Sequence, residues 1–370
     1  MKIAFIGRGN LKTNASTIRA LRLGKILSVE NYEIHLFLPK EELNISLSED
    51  LRFRDIKFHL CGRGITEFFS KLLNLCKDDY EYIHTLNVGV KSFLVGYLYK
   101  LFKDGTKIIL DIDEKTSILF NSKIRNSLLG CLENFALKKS DIVLVASKYL
   151  FELFSTKRKG NLFYFPYAIE DDVPEIGLYK NISDFNTKDG YKYLVYMGTY
   201  QNYSELELIL SAADKLQKLE NKLYFLMVGD GPNKNILEEE CLKKNINIIS
   251  FLGFLTDDKL KEIFDLASVF IFPINDNEIN RSRCPNKIFE YLKYKKPIVT
   301  NPVGEVYNIL DRDAHYFKEN SQEDFVARIL EAITLPKIPS DKRIISNLWS
   351  RRANDYIKII SEVQDGFHNI

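Results

Sequence analysis

The sequence predicts an α/β protein made of two doubly wound domains. Short apolar runs rich in Ile, Val, Phe and Tyr alternate with stretches of helical period. They form two series: KIAFIG, EIHLFLP, IKFHLCG, YEYIHTL, KIILDID, DIVLVAS and LFYFPY, then YLVYMG, LYFLMVG, INIISFLG, VFIFPI, KPIVTN and AHYF. Continuous apolar strands that alternate with helices are typical of a parallel sheet covered on both faces. Two such series predict two Rossmann-like domains, and we expect them to face each other across a cleft.

The length of the chain also favours two domains. Its 370 residues exceed what one ordinary core holds. Residues 170–189 are polar, carry turn residues and lack a helical or strand period, so we place the linker there. We expect an N-terminal domain at 1–175 and a C-terminal domain at 188–346, followed by an amphipathic helix within 347–370.

Composition and charge exclude several classes of protein. The chain has 52 basic and 50 acidic residues, a balance that argues against a dedicated nucleic-acid binder. Its five cysteines are odd in number and never form C-x-x-C, which predicts reduced thiols in a cytoplasmic protein and no zinc site. The N-terminus has no apolar signal core, and the longest apolar-rich stretch, residues 92–102, is too short to span a bilayer.

Ligands of open parallel sheets bind beyond the carboxyl ends of the strands, so residues that follow strands are candidates. The first strand is followed by Gly7, Arg8, Gly9 and Asn10, a loop suited to phosphate or acceptor binding; an ordinary strand-to-helix turn is the alternative. No acidic residue ends the second strand, which disfavours an NAD site. We place His84 at the end of the fourth strand as a further candidate; a packed histidine is the alternative.

The fifth strand ends in Asp-Ile-Asp-Glu, and three interpretations stay open. Asp111 and Asp113 alternate onto one side of the sheet and could share a metal ion. The motif could instead hold a phosphatase nucleophile, although Lys115 stands where that motif needs Thr or Val. We favour the third interpretation, in which only Asp113 or Glu114 faces the site as a positioning or general-base carboxylate. A purely structural cap comes next.

Glycines follow two successive strands of the second half. Gly198 and Thr199 follow one strand, and Gly229, Asp230 and Gly231 follow the next. Glycine allows a sharp turn into a helix, and we expect such turns to leave N–H groups open toward a ligand. Simple turn chemistry is the alternative.

Residues 280–302 (NRSRCPNKIFEYLKYKKPIVTNP) predict a polar loop, a helix over 285–294 and a buried strand. Lys287 and Glu290 share one face of this helix, while Ile288 and Leu292 anchor another. A charged face above an apolar anchor could seat a ligand; a solvated pair on a surface helix is the alternative.

The second half resembles the GT-B glycosyltransferases of the family 4, or group 1, type. The matching features stand in the family's order over residues 194–305: YMG, LYFLMVGDGP, FLGFLTDDKLKEIFDLASVFIFPI and PNKIFEYLKYKKPIVTNPVGE. The resemblance implies a UDP- or GDP-sugar donor held by the C-terminal domain and a saccharide or lipid-linked acceptor held by the N-terminal domain. It also implies a last helix that packs back on the N-terminal domain, retention of anomeric configuration, and no required metal or other cofactor.

Individual residues carry over by position. Glu290 matches the second glutamate of the family's E-x7-E signature, whereas Ser282 replaces the first, in a Ser-x-Pro-x-Lys variant that includes Lys287. Asp113 takes the position where many members carry a histidine. The resemblance thus implies that Asp113, Lys287 and Glu290 are catalytic.

The family's Arg and Lys after Gly198 are absent here, so other cations must neutralise the donor diphosphate. Those left are Arg281, Arg283 and Lys287, with Arg8 from the first domain. The predicted donor-binding set is Gly198, Thr199, Gly229, Asp230, Gly231, Arg281, Ser282, Arg283, Lys287 and Glu290.

We therefore predict a glycosyltransferase of cell-surface polysaccharide or glycoconjugate synthesis. A degenerate relative that binds a saccharide or partner without turnover is one alternative, motivated by the missing glutamate and cations. A nucleotide-sugar epimerase of similar build is another. Residues 90–103 and 151–159 combine Phe, Leu and Tyr with Lys and Arg, which indicates either peripheral contact with the inner face of a membrane or helices packed on the sheet.

Overall fold

The chain forms two compact units. The computed structural model describes residues 1–7, 9, 14–41, 44–45, 48–118, 120, 122–171, 188–200, 205–219 and 222–366. The first unit comprises Met1–Asp171, Ser282–Cys284 and Asn347–Ile370, and the second comprises Asp172–Arg281 and Pro285–Ser346. Residues 172–187 of the predicted linker lie outside the described residues.

Each of the first seven apolar runs forms a strand. The strands are β1 (Lys2–Ile6), β2 (Glu33–Pro39), β3 (Ile56–Cys61), β4 (Tyr82–Leu86), β5 (Lys107–Ile112), β6 (Ile142–Val145) and β7 (Leu162–Tyr164). Within the described residues they pair in parallel in the order β3-β2-β1-β4-β5-β6-β7. The chain order reverses between β1 and β4, so the carboxyl ends of β1, β4 and β5 lie side by side where such sheets bind ligands.

Helices connect these strands. They are α1 (Ala15–Val29), α2 (Ile65–Leu75), α3 (Val95–Phe102), α4 (Lys123–Lys139), α5 (Lys148–Ser155) and the last helix, α14 (Trp349–Gln364). A π-helical turn, Val90–Leu94, precedes α3, and short 3-10 turns lie at Leu51–Phe53 and Thr116–Ile118. Asn14 caps α1, because its Oδ1 accepts the Thr17 N–H at 3.0 Å.

The second unit repeats the arrangement. Its strands are β8 (Lys192–Met197), β9 (Leu223–Val228), β10 (Ile249–Gly253), β11 (Ala267–Phe272), β12 (Ile298–Thr300) and β13 (His315–Tyr316), paired in parallel, in the described residues, in the order β10-β9-β8-β11-β12-β13. Its helices are α6 (Leu206–Gln217), α7 (Lys234–Lys243), α8 (Asp257–Leu266), α9 (Glu278–Ser282), α10 (Asn286–Lys293), α11 (Gly304–Leu310), α12 (Gln322–Thr334) and α13 (Asp341–Ser346). The predicted fold class, two parallel-sheet α/β domains, is confirmed.

Two local predictions need correction. The stretch before Pro285 is not wholly a loop, since α9 continues to Ser282. Pro285 is the N-cap of α10, with ψ of 113°, and the helix itself begins at Asn286. The prediction of the apolar anchor is confirmed: Ile288 and Leu292 are both fully buried.

The last helix belongs to the first unit. Its Trp349 is buried against Tyr167, with ring centroids 5.2 Å apart, and its Tyr356 Oη lies 2.9 Å from His84 Nδ1. Burial of one such aromatic side chain stabilises the fold by roughly 3 kcal/mol. Residues 347–366 therefore complete the core that residues 1–171 begin.

The run at 90–103 is only partly explained by packing on the sheet. Phe93 and Tyr99 are fully buried in the first unit. Leu101 and Phe102, at the end of α3, are 60% and 71% exposed. None of the helices in the described part of the chain is both long and apolar enough to cross a bilayer.

Candidate functional site

Asp113 lies just beyond β5 in a network of polar side chains. Ser16 Oγ, from the first turn of α1, donates to one Asp113 carboxylate oxygen at 2.5 Å. Asn87 Nδ2, from just beyond β4, donates to the other oxygen and also to Ser16 Oγ at 2.9 Å. Donors to both oxygens fix the orientation of the carboxylate. The strand ends thus present one carboxylate held through both oxygens, and its role as a positioning or general-base group stays a prediction.

Asp111 lies on the same side of the sheet as Asp113 but has different partners. Its Oδ2 accepts a hydrogen bond from Arg19 Nε at 2.8 Å, and both side chains are only 2% exposed. Burial raises the pKa of Asp111, but the charges and hydrogen bonds of Arg19 and His84 together outweigh it, so the net pKa is lowered. Asp111 therefore contacts Arg19 and Asp113 contacts Ser16, both on α1. No ligand shared by the two aspartates is needed to explain their positions.

His84 lies in the middle of β4 and not at its end, because the strand continues to Leu86. The ring is fully buried, stacks on Phe5 with centroids 4.5 Å apart, and its Nε2 is 3.4 Å from Asp111 Oδ2. Burial lowers the pKa of His84, and the Asp111 charge acts against it. The structure therefore places His84 in the core, where an acceptor cannot reach it.

A buried lysine donates a hydrogen bond to the loop after β1 and stabilises it. Lys71 Nζ, from α2, donates to the Gly7 carbonyl at 2.5 Å and to Glu67 Oε1 at 2.6 Å. Gly9 has φ of +78°, the left-handed region that favours glycine, and its carbonyl lies 3.3 Å from Asn44 Nδ2. Arg8 and Asn10 lie outside the described residues.

The glycines of the second unit allow close backbone contact. A Cβ on Gly229, whose φ is +121°, would overlap the Gly198 carbonyl, and a Cβ on Gly231 would lie 2.6 Å from the Tyr200 nitrogen. Their own N–H groups are already used: Gly198 donates to Val228 at 2.9 Å, Gly229 to Gly253 at 2.8 Å, and Gly231 to the Asp230 carboxylate at 2.7 Å. The expectation that these three N–H groups are open to a ligand is wrong.

Thr199 and Asp230, the other predicted donor-binding residues in these two loops, are nearer to solvent. Thr199 is exposed at the end of β8. The Asp230 side chain is 40% exposed, and its carboxylate lies 3.8 Å from Lys234 Nζ. Asp230 therefore acts in the structure as a cap on its own loop.

Lys287 places its ammonium group against the loop after β8. A Cβ on Gly198 would collide with Lys287 Nζ, so the ammonium group lies directly against this glycine. Lys287 Nζ also lies 5.8 Å from the centre of the Tyr196 ring and 5.6 Å from that of Phe272. A positive charge is thereby fixed at the carboxyl ends of β8 and β11, where the strand order of the second sheet reverses.

The helix that carries Lys287 is anchored rigidly to the sheet. Tyr291 is fully buried, its Oη accepts the Met197 N–H at 2.8 Å, and its ring stacks on Phe270 with centroids 4.3 Å apart. Glu290, 21% exposed on the same helix, lies 3.3 Å from Lys293 Nζ. The carboxylate of Glu290 and the ammonium of Lys287 are thus held on one short, well-packed helix.

The two predicted arginines both have acidic partners. Arg281 makes two hydrogen bonds, of 2.5 and 2.8 Å, with the carboxylate of Asp276. Arg283 and Ser282 belong to the first unit, where Arg283 lies 2.9 Å from the Glu114 carboxylate and the Lys115 N–H donates to Ser282 Oγ at 3.2 Å. Arg281 and Arg283 thus each pair with a carboxylate of their own unit.

Sequence reasoning missed Ser16 and Asn87. Asn87 was identifiable, because it is the first residue beyond β4, whose Leu86 pairs with Asp111 of the neighbouring strand. Ser16 had no such signal, since it begins a helix far from either strand in the sequence. Among the residues that the structure describes, no group of three His, Cys, Asp or Glu side chains could hold a metal ion.

Comparison with known families gives a match in the second unit. Residues 191–334 match the family model described as glycosyl transferases group 1. Over 292 residues the chain is 19% identical to O-antigen chain mannosyltransferase C of Escherichia coli, a match that covers 76% of this chain and 73% of that protein.

Solved structures match over the whole chain. Sucrose-phosphate synthase of Thermosynechococcus elongatus superposes with a TM-score of 0.79 at 14% identity, covering 99% of this chain and 100% of that one. HepE of Anabaena, in complex with UDP-glucose, superposes with a TM-score of 0.69 at 13% identity, covering 99% of each chain. At these identities the likeness establishes a common fold.

Proposed function

We propose that the chain is a glycosyltransferase of the group 1 type, whose second unit binds a nucleotide-sugar donor and whose first unit binds the acceptor. The acceptor we propose is a saccharide, free or lipid-linked, in cell-surface polysaccharide synthesis. The name of the E. coli relative, an O-antigen chain mannosyltransferase, and the UDP-glucose bound by HepE support these substrate classes.

The position of Lys287 Nζ against Gly198 is the observation that carries the donor proposal. When a glycosyl group leaves a nucleoside diphosphate, negative charge develops on the phosphate oxygens and needs a fixed positive partner. Lys287 supplies that charge on a helix locked to the sheet by Tyr291. Arg281, on the exposed surface of the same unit, would exchange Asp276 for a phosphate oxygen.

Glu290 has a different role in this proposal. Its carboxylate accepts from hydroxyl groups of the donor, as the family resemblance implies, while Lys293 holds its orientation. Asp113, fixed by Ser16 and Asn87, accepts from a sugar hydroxyl and positions the reacting groups.

The proposal includes retention of anomeric configuration and independence from metal ions. Both features rest on the family resemblance. The anomeric signal of the newly transferred sugar, followed by NMR from the start of the reaction, tests retention. Unchanged turnover after treatment with a chelator tests metal independence.

Donor binding is tested by thermal stabilisation with a panel of UDP- and GDP-sugars. A ligand at about 100 times its Kd stabilises the folded state by roughly 2.7 kcal/mol. Calorimetry with the best donor then compares Lys287→Ala and Glu290→Ala with Lys243→Ala, whose side chain is 71% exposed on α7. We expect at least about tenfold weaker binding for the first two variants and no change for the third. Unchanged affinity in both site variants would overturn the site assignment.

A further inference from the structure

Helix α2 carries its charged residues inside and large apolar residues outside. Its sequence, ITEFFSKLLNL, contains two charged residues, Glu67 and Lys71, and these are 4% and 0% exposed. Ile65, Phe69 and Leu73 are instead 79%, 58% and 68% exposed. A surface helix normally has the opposite polarity. The exposed apolar residues therefore need an explanation other than the packing of this unit.

The packing of α2 on the sheet uses a different set of residues. Leu75 belongs to the core cluster beside β1 and β4, and Phe68 and Leu72 pack against that cluster. Glu67 and Lys71 also face inward, where Lys91 Nζ reaches the second Glu67 oxygen at 2.8 Å. The inner side of the helix is thus complete without Ile65, Phe69 or Leu73.

The exposed apolar residues form a line, which we call the α2 stripe (Ile65, Phe69 and Leu73). Residues four apart lie above one another on a helix, so the stripe is about 12 Å long. Beside it runs a surface groove of about 560 Å³, lined by Thr66, Phe69, Ser70, Leu73, Asn74 and Lys77. Phe102, exposed at the end of α3, precedes Lys103, whose Nζ lies 2.5 Å from Asp79 in the loop after α2.

The charges around the stripe are positive or already paired. Arg63 precedes the helix and Lys77 follows it, and both are exposed. Asp78 and Asp79 come next in sequence, but Asp78 lies 3.2 Å from Lys2 Nζ and Asp79 pairs with Lys103. An apolar line bordered by exposed cations complements a surface that is apolar inside and anionic outside.

We propose that the α2 stripe docks the protein on an anionic lipid bilayer. Ile65, Phe69 and Leu73 insert at the boundary between headgroups and acyl chains, and Arg63 and Lys77 contact lipid phosphates. This inference deepens the proposed function, since it rests on the lipid-linked class of acceptor and assigns the surface that would meet such an acceptor. Vesicle binding needs neither donor nor turnover, so the two proposals fail separately.

The full chain is sedimented with phosphatidylcholine vesicles, with and without about 30% phosphatidylglycerol, at low salt and at about 0.5 M salt. We expect binding to the anionic vesicles that weakens with salt. Phe69→Ser/Leu73→Ser should reduce the binding constant at least about tenfold, and Arg63→Gln/Lys77→Gln should remove the preference for phosphatidylglycerol. The matched control is Ile236→Ser/Leu242→Ser on α7, where 59% and 78% exposed apolar side chains flank Glu238, Glu239 and Glu240. This control should bind as the native chain does.

Three results would overturn the inference. The first is absence of binding to anionic vesicles, and the second is an equal loss of binding in the α7 control. The third is a native dimer, seen by light scattering, that Phe69→Ser/Leu73→Ser dissociates, because the stripe would then belong to a second copy of the chain. A cooperative thermal unfolding transition, measured without donor, shows that each variant is folded. If the native chain is stabilised by a donor but does not bind vesicles, only the docking surface is refuted. If it binds vesicles but no donor stabilises it, only the donor site is refuted.

Discussion

Asn87 and Asp113 hold each other through two reciprocal hydrogen bonds across the ends of β4 and β5. Asn87 Oδ1 accepts the Asp113 N–H at 2.9 Å, and Asn87 Nδ2 donates to the Asp113 carboxylate. Asn87 has φ of +56°, a left-handed conformation that asparagine and glycine tolerate best. The backbone and the side chain of Asp113 are therefore positioned by one residue that sequence patterns did not identify.

Asn87→Gly should lower kcat about tenfold, because it frees the Asp113 carboxylate without straining the backbone. Donor affinity should not change, since Lys287 and Glu290, which carry the donor proposal, lie in the second unit. Asp113→Ala should lower kcat further, again with little effect on donor affinity. Steady-state kinetics and calorimetry on the same samples provide both readings.

The control for this variant is Asn245→Gly, an exposed left-handed asparagine with φ of +52°. It carries the same exchange in the same backbone conformation and should leave kcat unchanged. Equal kcat in native protein and Asn87→Gly would show that the carboxylate needs no support from Asn87.

Gly229→Ala should destabilise the protein by at least about 3 kcal/mol, since its Cβ would overlap the Gly198 carbonyl at a strained φ. Urea denaturation measures the free energy of unfolding. Gly253→Ala is the matched control: its φ is +66°, but no atom lies within 4 Å of the added Cβ, so only about 1 kcal/mol of strain is expected. Similar losses in both variants would contradict the close approach of β8 and β9.

Stability should fall as pH drops from 6.5 toward 4, because His59 stays neutral in the folded protein. Burial, aided by the charges of His35 and Lys57, lowers the pKa of His59 to about 4. The unfolded chain binds this proton near pH 6.5, so the stability present above that pH is lost as pH falls through 4. His35, only 3.1 Å away, has its pKa lowered mainly by burial and acts in the same direction.

His59→Phe removes this titration while keeping an aromatic ring against Phe37, whose centroid is 4.2 Å from that of His59. Urea unfolding between pH 5 and 6.5 should give a flatter stability curve for the variant, and a constant difference from the native protein above pH 7. Parallel curves over the whole range would refute the assignment to His59.

Lys71→Met should destabilise the first unit by about 3 kcal/mol, since it leaves Glu67 buried without its nearest cation and the Gly7 carbonyl without its donor. Glu67→Gln/Lys71→Met removes both charges and should recover part of that loss. Denaturant titration of the two variants and of Glu67→Gln gives the coupling energy. A double variant less stable than Lys71→Met would contradict a buried, mutually compensating pair.

The strands and the resemblance to GT-B glycosyltransferases could be recognised from the sequence, and both are confirmed. A strand buried on both faces leaves a continuous apolar run, and thirteen such runs mark the thirteen strands of the described chain. Where a strand stops is less visible: β4 continues through Thr85 and Leu86, which moves His84 into the core and brings Asn87 to the strand end.

Partners distant in sequence were not predictable. Arg283 pairs with Glu114, 169 residues away, and Lys71 reaches Gly7, 64 residues away. No local pattern encodes such contacts. The glycines after β8 and β9 were recognised as special, but their N–H groups donate to neighbouring strands or, for Gly231, to the Asp230 carboxylate. A glycine after a strand can therefore serve close backbone packing as well as ligand binding.

The first unit is built from segments that lie before and after the second unit in the sequence. This arrangement sets the order in which the two units can be completed during synthesis. Residues 1–171 leave the ribosome before the second unit, yet Tyr356, the partner of His84, is translated only after it. The second unit lies wholly between and can fold earlier from a continuous stretch interrupted only at Ser282–Cys284. The first unit to emerge is therefore the last to be finished, and until the last helix is translated it exposes the surface that Trp349 covers, including Tyr167.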